Sequence, residues 1–165
     1  MSATAASQRV RLKSIALPPE HGAWGFLLEP LLAGLLIAPS WAGLCLALGV
    51  IGAFLARHPL KIALADRAKG KRYARTLAAE RVALVFCALG ALGFGGAVAL
   101  AGFEMLVPLL LAVPLAVVLF ASYLTNRGRD LLPELAGAVA LAVSAASMAL
   151  AGGESLGLAL ALWAI

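Results

Sequence analysis

Apolar runs long enough to cross a lipid bilayer recur along the whole chain, and they constrain its fold more than any other feature. Of the 165 residues, 63% are hydrophobic, and the mean hydropathy is +1.00. A soluble domain is only about 45–50% apolar. A helix that crosses the hydrocarbon core needs about 20 predominantly apolar residues. The sequence therefore predicts an all-α fold, a polytopic bundle of transmembrane helices.

Polar residues and turn residues divide the chain into a basic tail, residues 1–16, and a transmembrane domain, residues 17–165. A sixth apolar segment follows Glu154 and reaches Ile165. That segment gives roughly 16 Å of helix against about 30 Å of hydrocarbon, so we expect the natural protein to continue beyond it. The five predicted full spans are Gly22–Ala38, Trp41–Ala56, Val82–Gly102, Met105–Tyr123 and Glu134–Ala151.

The basic residues predict the orientation of the bundle. All 13 Lys and Arg fall in the tail and in two polar stretches, at 57–81 and 125–133, which alternating spans place on one side. The turns on the other side contain Glu104 and Glu154 but no Lys or Arg. Because basic loops stay in the cytoplasm, we predict a cytoplasmic N-terminus. Topology and anionic lipid head groups account for the net charge of +5, so no nucleic-acid partner is predicted.

The first polar stretch carries the densest group of candidate binding residues. Arg57 and Lys61 are four residues apart and share one helix face, with His58 beside them and Arg72 further along. One interpretation is a basic loop that rests on lipid head groups. The other is a binding patch for a phosphate or diphosphate group, such as that of a lipid-linked or isoprenoid diphosphate.

Asp66 is the carboxylate within this basic stretch, and two functions fit it. It could pair with Lys61, Arg67 or Lys69. It could instead hold a Mg²⁺ ion against a diphosphate, although that ion needs further oxygens from protein, water or substrate. The sequence leaves both alternatives open.

The first span contains ionisable residues that a lipid-facing helix would not favour. His21 lies at its start, and Glu29 lies inside it, directly before Pro30. Ionisable residues within spans usually face the bundle interior or a cavity. Glu29 could pair with Arg57, with Lys61 or with backbone freed by the proline, or it could bind a proton or cation. We expect this span to form one wall of a pocket open to the cytoplasm.

The second polar loop adds a smaller group of candidates. Arg127 and Arg129 extend the predicted phosphate patch, and Glu134 stands at the start of the fifth span. A carboxylate there suits the positive end of the helix dipole, so a capping role and a functional role are equally consistent with Glu134.

Several of these residues occur in motifs that resemble a known family. The stretch Pro19–Gly34 contains His-Gly-Ala-Trp, and it is followed by Arg57-His-Pro-Leu and later by Asp66. This pattern resembles the YwiC-like family of bacterial integral membrane proteins and covers most of the chain. The resemblance implies a location in the bacterial cytoplasmic membrane, and it implies no particular activity.

A fainter resemblance is to the UbiA-type intramembrane prenyltransferases. The residues that carry it are Pro30 with Gly34, Asp66 with Gly70, and Tyr123 with Glu134 and Gly137. It implies a prenyltransferase-like fold that binds an isoprenoid diphosphate at the cytoplasmic face, with or without transfer of the prenyl group. That family holds Mg²⁺ with several carboxylates, whereas this chain offers Asp66 among cations. Direct contact by Arg and Lys could replace the metal in binding a diphosphate, and Mg²⁺ stays an alternative.

Two alternative functions belong to other classes. A transporter or proton-coupled membrane protein would use Glu29 and His21. An accessory or assembly subunit would perform no chemistry, and its polar residues would meet a membrane-protein partner.

Overall fold

The computed structural model describes residues 12–17, 22–125 and 130–164, and over these ranges it contains helices and no strand. This confirms the prediction of an all-α bundle. Four helical segments are long and apolar enough to cross a membrane, and Gly22–Ile37 is a shorter apolar helix. The helices are α1 Leu12–Ala16, α2 Gly22–Ile37, α3 Trp41–Ala68, α4 Ala74–Ala101, a 3₁₀ turn Glu104–Leu106, α5 Val107–Leu124, α6 Leu131–Ala151 and α7 Leu156–Ala164.

Helices α3 and α4 are much longer than the predicted second and third spans. The prediction ended the second span at Ala56 and began the third at Val82, which left a long polar stretch between them. In the structure the connection between the helices is only Lys69–Tyr73. Lys, Arg and Ala favour helix, so the helix continues where the hydropathy falls. Helix α3 ends at Ala68, and the chain turns at Gly70, whose φ of 64° is in the left-handed region that favours glycine.

Helices α3 and α4 form an antiparallel hairpin whose backbones touch. A Cβ atom placed on Gly52 would lie 2.5 Å from the backbone nitrogen of Gly90. A Cβ on Gly93 would overlap the backbone of Gly49. Lipid provides no hydrophobic force between helices, so close packing at small residues is what holds such a pair together. Each helix has 28 residues, or about 42 Å, so the hairpin is longer than the hydrocarbon core is thick.

Helix α6 is the centre of the bundle and contacts α2, α3, α5 and α7. All its residues from Val143 to Ala149 are buried. Gly34 of α2 lies against this segment, where an added Cβ would stand 2.7 Å from the sulfur of Met148. The same core cluster includes Leu27 and Leu46, so α6 fixes the positions of α2 and α3.

The turns without Lys or Arg lie together at one end of the bundle. Gly152, after α6, lies against Ala38, after α2, and Met105 of the 3₁₀ turn joins the core cluster near this end. At the opposite end, Ile15 of α1 is buried against Ala63 of α3 and Ala79 of α4. Part of the predicted tail is therefore a packed helix. The assignment of the basic end to the cytoplasm stays a prediction of the positive-inside rule.

Candidate functional site

The structure distributes the predicted site residues over three places. Arg57, His58, Lys61 and Asp66 lie in the last turns of α3, and Arg72 lies in the turn that follows. Glu134 is exposed in the first turn of α6, and Glu29 is exposed on α2. The remaining three predicted residues, His21, Arg127 and Arg129, lie outside the described residues.

Asp66 is buried at the tip of the α3–α4 hairpin, with 3% of its surface exposed. Arg75 donates to both of its carboxylate oxygens, from Nε to Oδ2 at 3.1 Å and from Nη2 to Oδ1 at 2.7 Å. The hydroxyl of Thr76 donates to Oδ2 at 2.7 Å. The hydrogen-bonded cation is thus Arg75, rather than Lys61, Arg67 or Lys69, which the sequence offered as partners. A two-pronged Arg–carboxylate contact fixes both charge and geometry.

The same three residues also organise the turn. Thr76 Oγ1 accepts a hydrogen bond from the backbone nitrogen of Tyr73 at 3.1 Å. The guanidinium of Arg75 lies 5.3 Å from the centre of the Tyr73 ring. The main-chain oxygen of Asp66 accepts from the nitrogens of Lys69 and Lys71. Asp66 therefore joins the end of α3 to the start of α4.

A second carboxylate, that of Glu80 in α4, binds two arginines on the outer side of the tip. Arg67 Nε donates to Glu80 Oε1 at 2.8 Å, and Arg72 Nη2 lies 3.5 Å from Glu80 Oε2. The arginine side chains are mostly exposed, at 61% and 66%. Both carboxylates of the tip are consequently paired with arginines of the tip, and the neighbouring Lys69 and Lys71 are exposed.

Arg57 and His58 lie closer to the bundle, where α1, α2 and α3 meet. The guanidinium of Arg57 stands 4.2 Å above the ring of Phe54, which packs against Trp24 of α2 at 5.6 Å between ring centroids. His58 Nε2 lies 3.2 Å from the main-chain oxygen of Ser14 in α1. Arg57, His58 and Lys61 are all partly buried. A guanidinium held over an aromatic ring is a preorganised donor for oxyanions.

Glu29 does not line the bundle interior. Its side chain is exposed on the outer side of α2. The ion pairs that the structure shows between described residues lie at the hairpin tip, and none of them joins Glu29 to Arg57 or Lys61, the pairing that was one of the alternatives for this residue. The first span therefore does not direct this carboxylate into a pocket.

The donors around Asp66 do not fit a Mg²⁺ site in this arrangement. Both carboxylate oxygens accept hydrogen bonds from Arg75 and Thr76, and an ion would have to displace a cation that already binds there. The described residues contain no group of three or more His, Cys, Asp or Glu side chains able to hold a metal ion. The basic junction at Arg57 is the better candidate for an anion.

Sequence reasoning missed four residues of the tip: Tyr73, Arg75, Thr76 and Glu80. A signal for them existed. The Lys-, Arg- and Ala-rich composition on both sides of Gly70 favours helix. If two helices are joined by a short turn at Gly70, the last helical turn of the first helix packs against the first helical turn of the second.

A bundle of apolar helices, four of them long enough to cross a bilayer, with one basic end and one end without Lys or Arg, defines a helical integral membrane protein. The sequence model of the YwiC-like protein family matches residues 17–149, which include both the hairpin tip and most of α6. The chain belongs to the YwiC-like family. Comparison with curated proteins and with solved structures finds no match. The resemblance to UbiA-type prenyltransferases stays a prediction.

Proposed function

We propose that this YwiC-like membrane protein binds the phosphate or diphosphate head group of an anionic lipid at the basic junction of α1, α2 and α3. The observation that carries the proposal is Arg57, whose guanidinium is held over Phe54 in a partly buried position beside His58 and Lys61. An arginine fixed in this way loses little side-chain freedom when it binds an oxyanion.

The charge balance of the hairpin tip supports an anionic ligand. The carboxylates of Asp66 and Glu80 are already paired with arginines, so they do not cancel the field of the neighbouring lysines. Basic residues just outside the hydrocarbon attract anionic lipid by about 1 kcal/mol each. Arg72, at the tip, and Arg127 and Arg129, from the second polar loop, would add to this field.

The position of the site in the membrane follows from the charge distribution. Every Lys and Arg belongs to segments that we assign to the cytoplasmic side. We therefore propose a site at the inner surface of the bacterial cytoplasmic membrane. There it would meet either bulk anionic phospholipid or a lipid-linked isoprenoid diphosphate, and both present the same phosphate oxygens.

The test measures binding to the full-length protein in nanodiscs of neutral lipid. One arm adds a polyprenyl diphosphate, a second adds an anionic phospholipid, and a third adds inorganic diphosphate. Arg57→Gln is expected to weaken binding at least about tenfold, because it removes a charge-assisted contact. Arg81→Gln is the matched control, since Arg81 has the same charge on an exposed part of α4.

The three arms distinguish the sources of the ligand. Tighter binding of polyprenyl diphosphate than of phospholipid would identify the isoprenoid carrier as the ligand of the site. The reverse result would identify bulk phospholipid as the ligand. Binding of inorganic diphosphate alone would show that the head group suffices. If Arg57→Gln and Arg81→Gln bind all three ligands as the wild type does, the proposal is overturned.

The outward position of Glu29 favours a second proposed role, assembly with another membrane-protein chain, over transport through the interior of this bundle. An exposed carboxylate in an apolar helix is better placed to meet a neighbouring chain than a permeating ion.

A further inference from the structure

Helix α1 is too short to be stable by itself, and a side chain of α3 completes its end. It has five residues, Leu12–Ala16, and isolated helices of that length are not stable in water. The amide of Leu17 donates to the carbonyl of Lys13 at 3.1 Å. The carbonyl of Ser14 would next accept from residue 18, but that residue is a proline and has no N–H group. His58 Nε2 lies 3.2 Å from this carbonyl and, because a carbonyl only accepts, it is the donor.

One buried side chain holds α1 against the hairpin. Ile15 is 5% exposed and packs against Ala63 of α3 and Ala79 of α4, whereas the three residues before it are exposed. Docking thus gains one buried side chain and the hydrogen bond from α3, and it costs the conformational freedom of the whole segment. Because these opposing contributions are similar in size, a modest change at the docking surface shifts the population of docked α1.

The charge on α1 opposes its docking. The helix carries Lys13 and no acidic residue. It contacts α3 at His58, which is next to Arg57 and one helical turn from Lys61. The carboxylates of the hairpin tip are already paired with arginines, so they do not offset the added cation. An anion bound at Arg57 offsets it, because the anion lowers the positive potential of the surface that α1 meets.

We propose that α1 is a strap whose docking is coupled to anion binding at the basic junction. A bound anion holds α1 against the hairpin, and docked α1 in turn strengthens anion binding. This coupling rests on the proposed anion site and adds the regulation of that site. His58 is the positioning residue, since it contacts α1 and adjoins Arg57. Coupling between two equilibria is reciprocal, so undocking α1 weakens anion binding by the factor by which the anion strengthens docking.

The effect of the anion on α1 is tested with the full-length protein in nanodiscs of neutral lipid. The probe is inorganic diphosphate, and the two lipid anions of the binding test are measured in the same way. Saturating diphosphate is expected to slow amide hydrogen exchange of residues 12–17 about fivefold or more, and sodium chloride of equal ionic strength to change it less than about twofold. The diphosphate effect is expected to disappear in Arg57→Gln and to persist in Arg81→Gln, which alters an exposed residue of α4.

The effect of α1 on the anion is tested at Ile15, whose side chain is enclosed by α3 and α4. Ile15→Ala removes most of the buried surface and is expected to weaken binding of the same anions about fivefold, as measured by titration calorimetry. Leu12→Ala is the matched control, since Leu12 is 60% exposed. It is expected to leave the affinity within about twofold of the wild-type value.

Variants of His58 separate a positioning role from direct contact with the anion. His58→Leu loses the donor to Ser14, so exchange of α1 in the ligand-free protein is expected to become about fivefold faster. His58→Gln retains an N–H donor and is expected to restore slow exchange and most of the affinity. A side chain that only contacted the anion would leave exchange in the ligand-free protein unchanged, and that result would overturn the role of His58 in the coupling.

The remaining outcomes distinguish the coupling from the proposed function. If an anion binds in an Arg57-dependent manner but does not slow exchange of α1, or if chloride slows it equally, the coupling is overturned and the anion site stands. Equal affinities of Ile15→Ala and Leu12→Ala would also overturn the coupling alone. If the wild type binds none of the three anions, the proposed site and the coupling are both overturned.

Discussion

Arg75 donates two hydrogen bonds to the carboxylate of Asp66, across the turn that joins the two longest helices of the bundle. The carboxylate is buried, while 59% of the arginine side chain is exposed. The carboxylate of Asp66 is therefore held in place by the packed helices, and the guanidinium of Arg75 binds it from the surface. This contact explains why the charged end of α3 and the charged start of α4 pack together in one fixed arrangement at the hairpin tip.

The first prediction concerns this pair. Asp66→Asn keeps the size of the side chain but removes the charge that binds Arg75, so we expect the apparent Tm in detergent to fall by about 5 °C. Asp66→Ala is expected to lower it further, because the hydroxyl of Thr76 also loses its acceptor. A thermal-unfolding series that includes Arg75→Ala and the double variant checks the coupling. Additive effects of the two substitutions would show that the pair does not act as a unit.

The second prediction concerns the contact between α3 and α4. Gly52→Ala would place a methyl group 2.5 Å from the backbone of Gly90, and backbone cannot move aside as a flexible side chain can. We expect a loss of about 1–3 kcal/mol in the free energy of unfolding. Unfolding by denaturant in mixed micelles measures it.

Gly95→Ala is the control for this contact. It makes the same substitution in α4 at a site where an added Cβ meets nothing within 4 Å. Because alanine is the better helix former, this variant is expected to be neutral or stabilised by up to about 1 kcal/mol. If Gly52→Ala were equally harmless, the helices would not pack backbone to backbone as described.

The class of fold follows directly from the sequence, but the ends of α3 and α4 do not. Hydropathy falls after Ala56, and the prediction therefore ended a span there. The helix continues to Ala68 because backbone hydrogen bonding does not depend on the apolar character of the side chains. The pairing of Asp66 with Arg75 depends on that continuation, since only two helices that both reach the turn bring these side chains together.

The direction of Glu29 was beyond sequence reasoning for a different reason. Apart from Glu29, helix α2 is apolar on every side, so Leu27, which is buried, and Leu32, which is exposed, are chemically the same residue. Periodicity then carries no information about which face meets the core. Only the packing of Gly34 against Met148 decides that, and it leaves Glu29 on the outside.

The third prediction concerns the short helix α1. Ile15 is 5% exposed between Ala63 and Ala79, so Ile15→Asp should release α1 from the hairpin. We expect amide hydrogen exchange of residues 12–17 to become faster by about tenfold or more, because the burial of this side chain is worth about 1.5–3 kcal/mol. Leu12→Asp is the matched control, since Leu12 is 60% exposed. Equal exchange in the two variants would show that α1 is held by something other than Ile15.

The fourth prediction concerns the orientation in the membrane. All 13 Lys and Arg belong to the tail or to segments joined to the basic end, and the positive-inside rule places that end in the cytoplasm. Lys71→Cys and Glu154→Cys introduce exposed thiols at opposite ends of the bundle. In intact cells a membrane-impermeant maleimide is expected to label only the variant at Glu154. The variant at Lys71 should react only after the cells are permeabilised. Labelling in the opposite pattern would invert the topology and would move the proposed anion site at Arg57 to the outer surface, where the inner leaflet's anionic lipids cannot reach it.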